Sequence, residues 1–300
     1  MNSSTSLRST VVKGARKSLS IACGGISARK IRVLAYHSID PDGSLLSVHP
    51  NTFRSHLAWL RDNGYQTLSS AGLARRRSEE DGDLKQVAIT FDDGFAELHR
   101  YAFPLLREFS YTAIVFVTVG RVGGTAAWIE RDWSDIISRI APHLRLHGDE
   151  REKQMQQLRY CSRRRLLSWD EIAEMHEYGI DFQSHSCSHP FFSNLTPQAA
   201  RRELAESKAQ LEQRLNKTVG CFAYPYGDYG LPDLKRILQD TGYAMAFCDD
   251  WRAARDKDAD PYEMNRIPIG NEADPAYLRL CFSAGLAWYR SLASLGKRFM

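Results

Sequence analysis

The feature that most constrains this fold is the alternation of short apolar segments with helical segments. The apolar segments are rich in β-branched and aromatic residues, as buried strands are. The predicted strands are residues 31–36, 87–91, 112–117, 180–183, 219–223 and 244–248. Strands separated by helices pair in parallel, and seven or so such units in one domain favour a (β/α) barrel over a flat α/β sheet.

The chain has 300 residues, of which 43% are hydrophobic, and this is enough for one large domain. We predict a catalytic domain over residues 31–275, preceded by a flexible basic tail at residues 1–30. The strand and helix rhythm breaks at residues 121–167, which we interpret as an insertion over the barrel mouth. Residues 276–300 form a predicted amphipathic helix, which suits either a membrane interface or packing on the outside of the barrel.

Charge and cysteine usage exclude several classes of protein. The 40 basic and 36 acidic residues are too balanced for a dedicated nucleic-acid surface. No run approaches the roughly 18 apolar residues of a membrane span. The six cysteines are scattered, so we expect reduced thiols and a cytoplasmic location. Peripheral contact of the basic tail with the inner face of the membrane, near a lipid-linked glycan, stays open. The sequence indicates no oligomeric state.

Two carboxylates follow the buried strand at residues 86–91. Asp92 and Asp93 are adjacent, and Gly94 comes next. Two close carboxylates repel each other unless a metal ion or a proton lies between them, and the carboxyl ends of barrel strands meet at one mouth. This pattern predicts a functional site, with the alternative that Asp92 only caps the following helix.

A second strand end carries His185 and His189, which are four residues apart and can face the same side. With Asp93 as third ligand, they form a typical set for one divalent cation, most simply zinc, with iron, cobalt or nickel as alternatives. Alone, a pair of histidines at this spacing is often incidental. Its position at a strand end, like that of the two acids, favours a metal site.

Asp92 then has a separate predicted role as general base, because a carboxylate beside a cation keeps a low pKa and accepts a proton from water. The turn that contains Tyr224, Pro225, Tyr226 and Gly227 follows another strand. The amide of Tyr226 could face an oxyanion, with Tyr224 as a further substrate-binding residue. An ordinary turn is the alternative.

Three motifs together resemble the polysaccharide deacetylases of the NodB homology domain, carbohydrate esterase family four. They are Thr-Phe-Asp-Asp-Gly at residues 90–94, His-Ser-Cys-Ser-His-Pro at residues 185–190 and Pro-Tyr-Gly at residues 225–227. The resemblance covers roughly residues 31–270. It implies a distorted (β/α) barrel with the active site at the carboxyl ends of the strands, a divalent metal and removal of acetyl groups from a sugar.

The same resemblance implies residue roles. Asp92 is the base, Asp93, His185 and His189 hold the metal, and the Tyr226 amide helps to form the oxyanion hole.

The chain departs from this family pattern at two positions. Many members carry an arginine where this chain has Ala223, and Arg266 is the candidate replacement, although it could be a surface arginine beside a proline. Many members also carry a histidine near the carboxyl terminus that acts as general acid, but no histidine follows His189 here. We predict that His37 replaces it, as in members with a permuted motif order, unless His37 is a core or loop histidine.

These inferences predict a hydrolase that removes acetyl groups from an N-acetylated sugar of a polysaccharide, oligosaccharide or glycolipid precursor. An O-acetyl carbohydrate esterase of the same fold is one alternative, since only the leaving group differs. A non-catalytic glycan-binding relative is another, but the intact acids and histidines argue against it.

Overall fold

A computed structural model describes residues 31–42, 44–78, 85–140, 148–249, 260–270 and 273–283. The predicted N-terminal tail at residues 1–30 and most of the predicted C-terminal helix lie outside these ranges.

Parallel strands make up the main sheet. Its order is β10-β9-β8-β7-β6-β5-β1-β11, with β4 beside β5, and β2 pairs separately with β3. The strands are β1 Arg32–Tyr36, β2 Ser38–Ile39, β3 Ser47–Val48, β4 Gln66–Thr67, β5 Gln86–Phe91, β6 Ile114–Val117, β7 Asp181–Ser184, β8 Cys221–Ala223, β9 Met245–Cys248, β10 Met264–Asn265 and β11 Ile267–Pro268.

One short segment brings the two edges of this sheet together. β10 pairs with β9 at one edge, and β11 pairs with β1 at the other. Arg266 is the single residue between β10 and β11, so the sheet curls into a nearly closed barrel. The predicted parallel (β/α) barrel is therefore confirmed.

The pleat of the strands decides which side chains enter the barrel. Val33, Ala88, Phe116 and Met245 belong to an inner apolar cluster, while their strand neighbours pack outward against the helices. Because successive side chains alternate, residues at even steps beyond these positions also face inward. At the carboxyl ends of β1, β5 and β9 this count reaches His37, Asp92 and Asp249. Counting on from Met264 of the same inner cluster reaches Arg266, and on β7, where Phe182 packs outward, the alternation turns His185 inward.

Except for those within residues 121–167, the helices cover the outside of the barrel. In chain order they are α1 Pro50–Asp62, α2 Ser70–Ser78, α3 Phe103–Glu108, α4 Trp128–Arg131, α5 Trp133–Asp135, α6 Gly148–Tyr160, α7 Trp169–Glu177, α8 Pro197–Leu215, α9 Leu234–Asp240 and α10 Pro275–Cys281. Local sequence sets several of their starts. Ser168 and Glu171 form a capping box at α7, and Thr196 caps α8 ahead of Pro197.

The described part of the predicted insertion is partly helical and contains α4, α5 and α6. One isolated bridge, between Phe95 and Leu166, connects it to the barrel, and a second, between Thr125 and Arg165, joins its own two ends. Arg164 anchors the same region, because its buried guanidinium donates to Ser38 Oγ at 2.8 Å, directly after His37. The insertion therefore contacts both the β5 and the β1 ends of the barrel mouth.

The described part of the predicted C-terminal helix packs on the barrel. In α10, Leu278, Leu280 and Cys281 are buried, and Phe282 contacts Tyr65 with ring centroids 4.6 Å apart. Within the ranges given above, the structure contains no helix with both the length and the apolar character needed to span a membrane.

A buried histidine joins α1 to this C-terminal segment. His56 Nδ1 lies 3.1 Å from the Tyr36 hydroxyl oxygen, and Nε2 lies 2.9 Å from the Ala273 carbonyl oxygen. The carbonyl can only accept, so Nε2 carries the proton and Nδ1 accepts from Tyr36. Burial lowers the pKa of His56 from 6.5 to about 4, although the Ala273 carbonyl acts in the opposite direction.

This arrangement predicts a loss of stability in acid. Unfolded His56 binds a proton below about pH 6.5, whereas the folded form resists protonation down to about pH 4, so the free energy of unfolding falls with pH through this window. Between about pH 7.5 and pH 5 the expected contribution is about 2 kcal/mol. Urea unfolding at both pH values should show a smaller decrease for His56→Gln than for the wild type. Equal decreases would contradict the assignment.

Candidate active site

The end of β5 bends sharply so that two acids enter the mouth. Asp93 has φ 70° and Gly94 has φ 80°, in the left-handed region that only glycine adopts freely. A Cβ on Gly94 would lie 2.8 Å from Val117 Cγ1. The glycine is therefore required both for the backbone turn and for close packing against β6.

Asp93, His185 and His189 converge into one buried group. The Asp93 Oδ1 atom lies 3.5 Å from His185 Nε2 and 3.2 Å from His189 Nε2. One ligand atom from each of the three residues lies within 4.8 Å of the others. His185 Nδ1 lies 2.9 Å from the Ala223 carbonyl oxygen, so in the neutral ring Nδ1 carries the proton and Nε2 keeps its lone pair. The donor set fits a divalent cation.

The charges of this group suit a cation. Burial alone would raise the pKa of Asp93, but its close contacts with the imidazoles of His185 and His189 hold it below its ordinary value, so Asp93 is ionised. Burial lowers the pKa of His189 and keeps that imidazole neutral, the form that binds metals. The stacking of the Trp128 ring on His189, with centroids 4.6 Å apart, fixes the plane of the imidazole.

Asp92 is held by a different partner. Arg266 donates to both of its oxygens, with Nη1 2.7 Å from Oδ1 and Nη2 2.6 Å from Oδ2. Arg266 Nε also donates to Asp249 Oδ1 at 3.0 Å. Burial would raise the pKa of Asp92, but Arg266 and His185 lower it below its ordinary value, so Asp92 carries a negative charge. The structure thus places Arg266 beside Asp92. Arg266 is the residue predicted to replace the arginine that many family members carry at the position of Ala223.

His37 lies at the same mouth. It follows β1, is half-buried and faces inward by the pleat of the strand. Burial would raise the pKa of Asp92 and of Asp93, and His37 is among the neighbouring groups that act in the opposite direction on both. Its imidazole is therefore within electrostatic range of both acids.

The two tyrosines of the turn after β8 differ. Tyr226 has φ 59°, and within the described residues its amide donates no hydrogen bond. Its ring stacks on Phe191 with centroids 3.9 Å apart and meets His189 edge-on at 4.5 Å. Tyr224 faces outward, its hydroxyl donates to the Tyr262 carbonyl oxygen and its amide to that of Phe247. Both donors of Tyr224 are used by the framework, so it does not join the cluster.

Sequence reasoning missed two kinds of residue at this site. Asp249 directly follows β9, and the strand-end rule that selected Asp92 would have found it. Trp128 and Asp132 come from the insertion, and Asp132 Oδ2 accepts a hydrogen bond from the Tyr226 hydroxyl at 3.0 Å. No period or motif in the insertion marked these two residues.

Fold and site together indicate a hydrolase of the deacetylase class, with a buried group of residues that could hold a metal ion. Residues 79–246, more than half of the chain, match the family model for polysaccharide deacetylases. The chain belongs to the polysaccharide deacetylase family. The predicted enzyme class is thereby confirmed.

Sequence relatives agree with this membership. YxkH of Bacillus subtilis (strain 168) is 28% identical over 242 residues, which are 80% of this chain and 71% of that protein. The poly-β-1,6-N-acetyl-D-glucosamine N-deacetylase of Escherichia coli (strain K12) is 26% identical over 235 residues. The matched region is 71% of this chain but only 33% of the length of that relative. The enzyme of the same name from Staphylococcus epidermidis is 23% identical over 76% of this chain and 69% of its own length.

Solved structures share the fold. The Streptococcus pyogenes deacetylase PplD superposes with a TM-score of 0.62 at 22% identity, over 86% of this chain and 100% of PplD. IcaB from Ammonifex degensii gives a TM-score of 0.61 at 24% identity, over 87% of this chain and 97% of IcaB.

The ligand set makes a direct prediction. Asp93→Ala should lose most of its bound zinc, because two neutral imidazoles without the carboxylate bind a divalent cation weakly. The measurement is elemental analysis of purified protein after zinc loading and desalting. Asp170→Ala, which removes an exposed acid at the start of α7, should keep the wild-type stoichiometry. A folded Asp93→Ala protein with wild-type zinc content would refute the assignment.

Proposed function

We propose that this chain is a metal-dependent N-deacetylase that acts on N-acetylglucosamine units of a polysaccharide or oligosaccharide. The observation that carries the proposal is an ionised Asp92, held by Arg266, beside the metal-ligand group of Asp93, His185 and His189. The names of the relatives from Escherichia coli and Staphylococcus epidermidis support the choice of an N-acetylglucosamine polymer.

Asp93, His185 and His189 would hold the cation, and zinc suits two imidazoles and one carboxylate in a buried group. A bound zinc ion supplies Lewis-acid chemistry, which acidifies water and polarises a carbonyl group.

The protein groups supply the remaining steps. Asp92 accepts a proton from the attacking water while the oxygen atom of that water bonds to the acetyl carbon. The Tyr226 amide donates to the acetyl oxygen as negative charge develops there. His37 donates a proton to the sugar nitrogen as the carbon–nitrogen bond breaks, so the products are acetate and a free amine.

The nature of the leaving group favours an amidase over an O-acetyl esterase. An amine leaves only when protonated, whereas an alcohol needs less help. His37 follows β1 at the same barrel mouth as Asp92, and this position supports a role for His37 as the acid beside Asp92 as the base. An esterase would need only the base.

A substrate screen tests the proposal. Zinc-loaded protein is incubated with β-1,6-linked N-acetylglucosamine oligomers, O-acetylated xylan and lipid-linked N-acetylated sugars, and acetate release is measured. We expect release from the N-acetylglucosamine oligomers and none after chelation. Release from acetylated xylan alone would identify an O-acetyl esterase, and binding of glycan without release would identify a non-catalytic relative.

The cytoplasmic location and peripheral membrane contact stay predictions from the sequence. Turnover of a lipid-linked substrate in the same screen would support a location at the membrane.

The role of Asp92 gives a sharp test. Asp92→Asn keeps the shape of the side chain and an acceptor oxygen for Arg266 but cannot take a proton from water. We expect wild-type zinc content and a loss of kcat of roughly 10² or more. Loss of zinc from Asp92→Asn would make Asp92 a ligand, and near-normal kcat would remove it as the base.

His37 can be tested by comparing two leaving groups. His37→Ala should keep zinc and lose roughly 10² to 10⁴ in kcat/KM on an N-acetylated oligosaccharide, with a much smaller loss on an activated acetyl ester. His99→Ala, which removes a histidine paired with Glu174 on the outside of the barrel, is the control and should leave both rates unchanged. Equal losses on the two substrates would show that His37 acts only in folding.

A further inference from the structure

The loop between His185 and His189 has an unusual backbone. Ser186 has φ 67° and His189 has φ 59°, both in the left-handed region that residues with side chains rarely adopt. This conformation returns the chain so that both imidazoles reach Asp93 Oδ1. Such a loop keeps its shape only if surrounding contacts fix it.

One carboxylate binds the amide side of this loop. Glu203 lies on α8, outside the metal-ligand group, and it accepts three hydrogen bonds from the loop. The donors are the Cys187 amide at 2.9 Å, the Ser188 amide at 2.8 Å and the Ser188 hydroxyl at 2.7 Å. Hydrogen bonds to an ionised acceptor are about twice as strong as neutral ones.

One guanidinium binds the carbonyl side. Arg131, at the end of α4 in the insertion, donates to the Ser188 carbonyl oxygen at 3.0 Å and to that of His189 at 2.8 Å. Asp132 orients Arg131 by accepting from its Nε at 2.6 Å and its Nη2 at 2.7 Å. Asp132 also accepts from Tyr226, so the same contacts continue to the turn after β8.

We propose that Glu203 and Arg131 are positioning residues that set the spacing of His185 and His189 and thereby the affinity for the metal ion. The inference rests on the proposed metal site. Neither residue is a member of the ligand group, and each acts on the backbone between the ligands. Glu203 comes from the barrel and Arg131 from the insertion, so the ligand loop is clamped between two parts of the fold.

Zinc affinity measures this effect directly. Apo protein competes with a chromophoric chelator for zinc at fixed pH, which gives Kd without any sugar substrate. We expect Glu203→Ala to weaken zinc binding roughly 10- to 100-fold, the usual effect of losing a residue that orients metal ligands. Glu206→Ala removes an exposed acid from the same helix and should keep the wild-type Kd.

A conservative variant separates positioning from general folding. Glu203→Gln keeps an acceptor oxygen for the two amides and should recover most of the zinc affinity lost in Glu203→Ala. The rise in Tm on adding zinc should be smaller for Glu203→Ala than for the wild type and Glu206→Ala. A folding role alone would lower Tm equally with and without zinc, and that result would overturn the proposal.

Arg131 provides an independent arm if Glu203→Ala fails to fold. Arg131→Ala should also weaken zinc binding, whereas Arg163→Ala, at an exposed position of the same insertion, should not. Wild-type Kd values for Glu203→Gln and Arg131→Ala would overturn the inference while leaving the metal site intact. A wild-type protein that binds no zinc would instead refute the metal site itself, and with it this inference.

Discussion

The buried contact between Arg266 and Asp92 joins the architecture of this protein to its chemistry. Arg266 is 1% exposed and is the single residue between the two short strands that meet at the barrel seam. A buried guanidinium charge requires partners that neutralise it and accept its hydrogen bonds, and the ionised Asp92 together with the Asp249 carboxyl oxygen meets this need. The same contact therefore stabilises the closed barrel and the ionised form of Asp92, so a substitution that removes it should affect both.

The strands and the residues that follow them could be predicted from the sequence because both depend on local rules. Apolar runs located the strands, and the two-residue period of a strand predicts that His37, Asp92 and His185 face inward. The same period, counted along β8, turns Tyr224 outward, and applying it earlier would have excluded that residue. The pairing of Arg266 with Asp92 joins residues 174 positions apart in the chain, and it could be expected only from the family resemblance, because no local pattern encodes the barrel closure on which it depends.

The insertion shows where such rules end. Its helices nearest the site, α4 and α5, have only 4 and 3 residues, and their contacts with the site depend on side-chain packing, such as that of Trp128 on His189, rather than on a repeated period. The sequence predicted where the regular rhythm stops but not what replaces it. In the structure, Arg131 of this region donates to the loop between His185 and His189, and Asp132 accepts from the Tyr226 hydroxyl.

The place of β1 in the sheet has a topological consequence. β1 is the first strand of the barrel along the chain, yet it lies between β5 and β11, the last strand. In a ring of parallel strands the point at which the chain is opened is arbitrary, because the ring itself has neither beginning nor end. A histidine that follows this strand therefore reaches the same side of the mouth whether the strand comes first or last in the sequence. Sequence order and spatial order are thus separate properties in such a ring, and a side chain at a given point of the mouth can come from an early or a late strand.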